Sequence, residues 1–382
     1  MLKMTKILWL TLVLLVPGAN VARAMQTEAD YAIVMDAKSG VVLFEKNADV
    51  RMSPASMSKL MTVLMVFEAL EAGAISEDDE FYVSDNAWKK GGAASGGSTM
   101  FLKARSNVAV KDLLRGVIIQ SGNDACIALA EGLAGSEETF AAMMSERAQE
   151  LGMQDSYFAN ATGWPHPDHK TSSRDLAIVA QELINKHSNY YTLFSQREFT
   201  WNKIRQTNRN PLLYAGIGAD GLKTGHTQES GYGLVASAEQ SGRRLILVVN
   251  GLTSKRERAS EARKLMTWGF RSFQNQVLVE AEDVVSRLPV WHGSDASVEV
   301  VPAQRFDVVT PRGGQRKMVA TLIYDTPILA PIQKGDKIGV LKVTMPGLAP
   351  QEMQLVAKAD VSRGNFVSRA MSSLGYLMFG GE

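Results

Sequence analysis

Ser53-Pro54-Ala55-Ser56-Met57-Ser58-Lys59 runs directly into Leu60-Met61-Thr62-Val63-Leu64-Met65-Val66-Phe67. Proline suits the first turn of a helix, where a missing N–H costs nothing, and the stretch after it is apolar on every side. The pattern predicts a buried helix beginning near Pro54. Residues three apart share a helix face, so the Ser56 hydroxyl and the Lys59 amine meet one turn apart. Held against apolar walls, a lysine loses part of its preference for the charged form, and its neutral amine can then take the serine proton. Standing alone, the same residues also fit a helix cap and a lysine that snorkels to water.

Upstream, Tyr31 to Asp36 and Val41 to Glu45 flank Ala37-Lys38-Ser39-Gly40, the pattern of a β-hairpin, so a sheet is expected behind the helix. Downstream, the stretch from Lys89 to Thr99 is too rich in glycine for helix or strand and lacks the spacing of a phosphate-binding loop. It is either a plain surface connection or a mobile wall of a cleft. Val110 to Ile119 has helical spacing and stops at Gln120-Ser121-Gly122-Asn123-Asp124, where Asp124 is placed to cap the next helix. Ser136 with Glu137 and Glu138 opens a helix to Leu151, and Ser173 with Asp175 opens one reaching Lys186. The single cysteine, Cys126, lies in the apolar run Ala125 to Ala130 and reads as buried filler.

Further on, Gly231 to Ala238 and Leu245 to Asn250 form a second hairpin pattern around Ser241-Gly242. Lys223-Thr224-Gly225 lies on or beside the strand leading into it. A cation, a hydroxyl and a backbone free of side chain suit a carboxylate-bearing substrate laid along the strand edge. His166, Asp168 and His169 stand close together, but two prolines stiffen their loop and no other histidine or cysteine has ligand spacing. Neither metal nor cofactor is expected.

S-x-x-K at Ser56 and Lys59, Ser121-Gly122-Asn123 and Lys223-Thr224-Gly225 occur in the order that marks class A β-lactamases and penicillin-binding proteins. With the flanking words Ser-Gly-Asn-Asp-Ala, Lys-Thr-Gly-His-Thr and Glu-Ala-Arg-Lys-Leu (261 to 265), the chain resembles the low-molecular-mass penicillin-binding proteins that act as D-alanyl-D-alanine carboxypeptidases. The resemblance runs from about Ala32 to the C-terminus. It implies an α+β fold in which a penicillin-binding, β-lactamase-like domain (an antiparallel sheet with a helical cluster) precedes a small β-sandwich. It further implies Ser56 as acylated nucleophile, Lys59 as its base, and Ser121 with Asn123 as the second wall. Lys223 and Thr224 would take the terminal carboxylate beside Gly225, and the N–H groups of Ser56 and His226 would form an oxyanion hole. Arg209 matches a family arginine near that carboxylate, with Arg205, Arg256 and Arg258 as competitors.

The implied partners are peptidoglycan pentapeptides ending in D-Ala-D-Ala and β-lactams as covalent inhibitors. A β-lactamase is the alternative, but Gly122 replaces an aspartate of that signature and no clear Glu-x-x-Asn element lies between the second and third motifs. A non-catalytic cell-wall peptide-binding module would need Ser56 or Lys59 to be lost.

Residues 1–24 carry Lys3 and Lys6, an apolar stretch from Ile7 to Val16, and Ala22-Arg23-Ala24, the pattern of a cleavable secretory leader. Its removal takes the formal charge from +1 down by three to −2, which leaves no global basic field for nucleic acid. The expected organisation is a catalytic domain over 25–273, a β-rich domain over 274–357 and a terminal helix over 358–382. The β-rich domain shows runs at Val284 to Val290, Ser297 to Val301, Phe306 to Thr310, Met318 to Tyr324 and Lys337 to Val343, with turns at Gly313-Gly314 and Gly335-Asp336. In the last stretch Phe366, Val367, Ala370, Met371, Leu374, Leu377 and Met378 share one helical arc. That stripe either packs on the sandwich or lies in a membrane interface, where Lys358, Arg363 and Arg369 favour anionic lipid. The combined expectation is an exported enzyme, peripheral on the periplasmic face of the cytoplasmic membrane.

Overall fold

The computed structural model describes residues 4–10, 25–312, 318–366 and 369. The chain divides into two compact units, Arg23–Arg271 and Ser272–Glu382, the latter counted together with Met1–Ala22.

In the first unit, strands β1 (Tyr31–Asp36), β2 (Val42–Lys46), β3 (Ala219–Thr227), β4 (Gly231–Gln240) and β5 (Arg243–Leu252) form one antiparallel sheet in the order β2-β1-β5-β4-β3. Both expected hairpins are present. Ser241 and Gly242 take positive φ of 52° and 73°, the backbone that a two-residue connection between twisted strands requires. In the β1–β2 turn the Asp36 carboxylate accepts from the amide and the hydroxyl of Ser39.

The central strand is buried on both faces. Ile246 and Val248 join the main core with Leu60, Leu64 and Phe67 of α1 (Lys59–Glu71). The alternate residue Leu245 points the other way, with Val34, against Gly269 of α5 (Lys255–Ser272). Glu261 of α5 accepts from Thr27 Oγ1 and Glu28 N and so anchors the start of the described unit.

The helical cluster comprises α2 (Asn123–Ala134), α3 (Glu137–Glu150) and α4 (Ser173–Asn185) with shorter helices at Asp85–Gly91 and Val110–Arg115. Ser136 caps α3 through Thr139 N as its sequence predicts. The cap of α4 is Ser172, one residue before the serine expected there, and it accepts from Asp175 N. Cys126 is fully buried, and burial pushes its thiol up to about 12.

Three expectations need correction. The chain does not enter α1 directly at Pro54: Ala55–Ser58 is a 3₁₀ turn, entered with Ala55 at φ 49°. The glycine-rich stretch is not free of helix, because Lys89 to Gly91 end one helix and Ala93–Ser95 is a 3₁₀ turn. The N-cap position of α2 is Gly122 rather than Asp124; the Asp124 carboxylate accepts from Ala125 N in the first turn and also from Thr99 Oγ1, Met100 N and Leu102 N, and so binds the loop after that stretch to the helix. Replacing it, as Asp124→Ala, leaves those donors unpaired and is expected to cost about 2–3 kcal/mol, read as a lowered midpoint in urea.

Among its described residues the second unit is mainly β. Ser286–Trp291, Ser297–Pro302, Val319–Thr326, Lys337–Met345 and Leu348–Ala357 lie in one sheet, and Phe273–Val279 pairs with Phe306–Pro311 in another. Phe306 and Val308 share a core with Leu322, Val343 and Leu355, so the two sheets pack face to face. The strand Phe273–Val279 has no run assigned to it in the sequence, because its middle residues are polar and exposed. The turn expected at Gly313-Gly314 lies outside the described residues.

Of residues 1–24, Met4–Leu10 is an outer strand antiparallel to Val319–Thr326, and the remainder lies outside the described residues. At the other end, residues 358–364 are not helical: Val361 is buried and bridges to Ile332, and Gly364 N donates to His292 O. Of the terminal amphipathic stripe, Phe366 is exposed, and the positions from 367 on, Arg369 apart, lie outside the described residues. Among the described residues no helix is long and apolar enough to cross a membrane.

Candidate active site

A 3₁₀ turn nearly eclipses residues three apart, which sets Ser56 and Lys59 in line. Ser56 Oγ stands 3.0 Å from Lys59 Nζ. The lysine is fully buried, and its other two neighbours are acceptors only: Asn123 Oδ1 at 2.8 Å and the Thr162 carbonyl. A neutral amine has two N–H groups and one lone pair. Both N–H groups are taken by those oxygens, which aims the lone pair at the Ser56 hydroxyl. Burial is the main cause that lowers Lys59 to about 8, the positive charge of Arg209 adds to it, and the nearest acidic groups oppose it.

Asn123 comes from the first turn of α2, which follows a π-helical turn at Gly116–Gln120 and Ser121 in the left-handed region at φ 66°. Irregular helix of this kind is common where a side chain has to be aimed. The Ser121 hydroxyl is buried and has no hydrogen-bond partner among the described residues. Asn123 N donates to Ser98 O, and Gly97 leaves room for Asn123 Nδ2, so the glycine-rich stretch forms a wall held to α2.

The third group arrives on β3, the outer strand of the sheet, with Lys223 opposite Val235 and Gly225 opposite Gly233. A Cβ on Gly225 would stand 2.8 Å from Pro54 O and 3.0 Å from Met57 Cγ. Only glycine lets the strand approach the turn that carries Ser56. Lys223 is buried, donates to Thr224 O at 3.0 Å, and lies well below an ordinary lysine, first through burial and then through the charges of Lys59 and Arg209.

Thr162 has no signal of its own in the sequence, since every residue carries a carbonyl. The loop holding it is organised by Asn160, whose Oδ1 accepts from Thr162 N, Gly163 N and Trp164 N, an Asx-type turn. Glu137 accepts from Ala161 N and pairs with Lys90. Gly163 has φ 78°, and a Cβ there would overlap the Ala55 carbonyl oxygen. Gly163→Ala is therefore expected to destabilise the fold by about 2–4 kcal/mol and to slow acylation, measured by thermal unfolding and by penicillin labelling.

These groups surround a cleft of about 920 Å³. Ser56, Ser121, Asn123, Thr224 and Gly225 line it, with Arg209 on its rim donating to Ser98 Oγ at 2.6 Å. Among the described residues its lining contains no carboxylate, while Arg209, Lys255 and Arg258 contribute positive charge. Of the competing arginines, Arg258 is in the cleft, Arg205 pairs with Glu198 and Arg256 is exposed. The His226 ring packs on Tyr232 at 3.9 Å, and partial burial and the charges of Arg258 and Lys255 lower its pKa. His166 and Asp168 are exposed, whereas His169 is buried, accepts from Ala159 N and is pushed down to about 4 by burial. A second group, Glu68 with Glu182 and His187, is already served by Arg147, 2.8 Å from Glu68 and 3.8 Å from Glu182.

A serine hydroxyl 3.0 Å from a buried lysine, inside a cationic cleft on the edge of an antiparallel sheet, is the constellation of a serine hydrolase. Residues 18–254 match the family of D-alanyl-D-alanine carboxypeptidases, and residues 273–363 match the C-terminal domain of penicillin-binding protein 5. The chain is 40% identical over 349 residues to D-alanyl-D-alanine carboxypeptidase DacC of Escherichia coli (strain K12), covering 91% of this chain and 87% of that protein. It is 35% identical to DacF of Bacillus subtilis (strain 168), over 91% and 90% of the two. Penicillin binding protein 5 from Haemophilus influenzae superposes with a TM-score of 0.82 at 36% identity, covering 90% of this chain and all of that one. The chain belongs to the D-alanyl-D-alanine carboxypeptidase family.

Proposed function

We propose that the chain removes the terminal D-alanine from peptidoglycan stem pentapeptides through an acyl-enzyme on Ser56, and that penicillins acylate the same hydroxyl. The observation that carries this is the hydrogen-bond arrangement of Lys59, which leaves only its lone pair for Ser56. Lys59 accepts the serine proton as Oγ attacks the scissile carbonyl. The N–H groups of Ser56 and His226 receive the oxyanion. Ser121 passes a proton to the departing amine, and Asn123 Nδ2 holds the substrate amide carbonyl. Thr224, Lys223 and Arg209 bind the terminal carboxylate, with Arg258 deeper in the cleft adding to the positive potential. Water then attacks the ester to release the shortened peptide.

The test is D-alanine release from a peptide ending in D-Ala-D-Ala, run beside labelled penicillin. Release with a long-lived penicillin adduct is expected. Rapid turnover of the adduct would indicate a β-lactamase, and no adduct a binding module.

Residues 1–24 act in this proposal as an export leader removed before Met25, and the terminal stripe from Phe366 holds the enzyme on the periplasmic face of the membrane. Because Val361 is buried in the β unit, the informative truncation falls after Gly364. That truncation is expected to release the protein from vesicles containing anionic lipid without lowering D-alanine release; retention on the vesicles would contradict the anchor.

A further inference from the structure

At the opposite end of α1 from Lys59, carboxylates gather on residues that take no part in the catalytic cleft. Glu68 and Glu71 stand in the last turn of α1 and Glu182 in the last turn of α4, and neither turn carries a basic residue. The C-terminal end of a helix is the negative end of its dipole, which favours a cation and disfavours a carboxylate. Three acidic side chains therefore stand where the backbone already repels them. Arg147 of α3 answers this only in part. Its Nε donates to Glu68 Oε1 and its Nη1 to Glu150 Oε2, both at 2.8 Å, while its 3.8 Å approach to Glu182 is beyond hydrogen-bond reach. The group thus holds one guanidinium for four carboxylates.

His187, just past the end of α4, brings an imidazole into the same group, and it is only 5% exposed. Its Nδ1 lies 2.9 Å from Glu71 Oε2 without the alignment of a hydrogen bond, and its Nε2 has no partner among the described residues. Buried polar atoms are normally satisfied, so an imidazole left this way points to a missing neighbour. One ligand atom each from Glu68, Glu182 and His187 lies within 4.8 Å of the other two. A tetrahedral ion with bonds of about 2.0–2.2 Å holds its ligand atoms roughly 3.5 Å apart, so small side-chain rotations close these three around one centre. Two carboxylates with an imidazole are a donor set for zinc, whereas magnesium and calcium take oxygen ligands. The Glu68 and Glu182 side chains are 26% and 24% exposed, which leaves an ion a way in from solvent.

We propose that Glu68, Glu182 and His187 form a binding site for a divalent transition-metal ion of the zinc type, which ties the end of α1 to the end of α4. The ion supplies the positive charge that both helix ends lack and the partner that the imidazole lacks. Glu71 adds a further negative charge beside the ring, and Arg147, bound to one oxygen of Glu68, leaves the other for the ion. Because none of these residues lines the cleft, the site stands or falls independently of the catalytic roles proposed above.

The experiment strips the full chain with a chelator and titrates it with zinc chloride by calorimetry. One equivalent is expected to bind, and free zinc at a hundredfold excess over its Kd should raise the thermal unfolding midpoint by about 5 °C or more. His187→Ala should weaken binding about a hundredfold, and Glu182→Gln, which keeps the shape of the side chain, about tenfold. His166→Ala serves as the control, since the exposed His166 with Asp168 is where a stray surface ion would settle, and it should change nothing. The metal-free unfolding midpoint of each variant shows that it is folded; should His187→Ala fail to fold, Glu182→Gln decides alone. No saturable binding, an affinity unchanged in either folded variant, or a loss that follows His166→Ala instead would overturn the site.

Discussion

Lys59→Arg is expected to slow acylation of Ser56 about a thousandfold while leaving a positive charge in place. A guanidinium cannot give up its proton at any accessible pH, so it cannot serve as the base, and general-base catalysis of this kind contributes about 10²–10⁴ in rate. The wild-type pH profile carries the same information. Lys59 is lowered to about 8, and the protonated form has no lone pair to offer. Acylation, measured as the second-order rate constant with penicillin, should therefore rise about tenfold per pH unit below pH 8, bend near that value and level off above it. In Lys59→Arg the bend should vanish. A wild-type rate that is flat between pH 6 and pH 9 would remove the neutral lysine from the mechanism.

The second large effect is expected at Ser121. Its buried hydroxyl has no protein partner among the described residues, and Lys59, held by Asn123 and Thr162, faces the nucleophile. Ser121→Ala should lower D-alanine release by about 10²-fold or more by removing the proton path to the departing amine. Because Ser121 has φ 66°, a change there also alters backbone strain, and Ser121→Gly separates the two. Glycine relieves the strain and still lacks the hydroxyl. Equal losses in both variants are expected, whereas activity retained in Ser121→Gly would assign the serine a backbone role only.

Much of the fold can be read from residues with a local mechanism. Ser241-Gly242 closes a hairpin, Ser136 caps a helix, and Pro54 before an unbroken apolar run marks the buried helix behind Ser56. The three motifs were separately readable because each puts an unusual side chain on an element that explains it. What the sequence hides is set by backbone groups and by contacts distant in the chain. The Thr162 carbonyl reaches Lys59 across 103 positions, and Asp124 holds Thr99 and Met100 as well as the first turn of its own helix. Composition leaves Lys89 to Thr99 open as a plain connection or a wall of a cleft. Gly91 is there because a Cβ would collide with the backbone of Asp124, and Gly97 because one would crowd Asn123 Nδ2. The 3₁₀ turn at Ala55–Ser58 is equally invisible, since the residue pattern fits an α-helix as well. It nonetheless sets the serine and lysine in line. Arg209 and Arg258 emerge from four candidates only once the cleft is assembled.

The central claim is that Ser56, activated by its one-turn neighbour, is the atom that carries the acyl group. Intact mass before and after exposure to penicillin, followed by mapping of the modified peptide, tests it most directly. A single adduct on Ser56, absent from Ser56→Ala, is the expected result; an adduct on any other residue, or one that survives in Ser56→Ala, would contradict it.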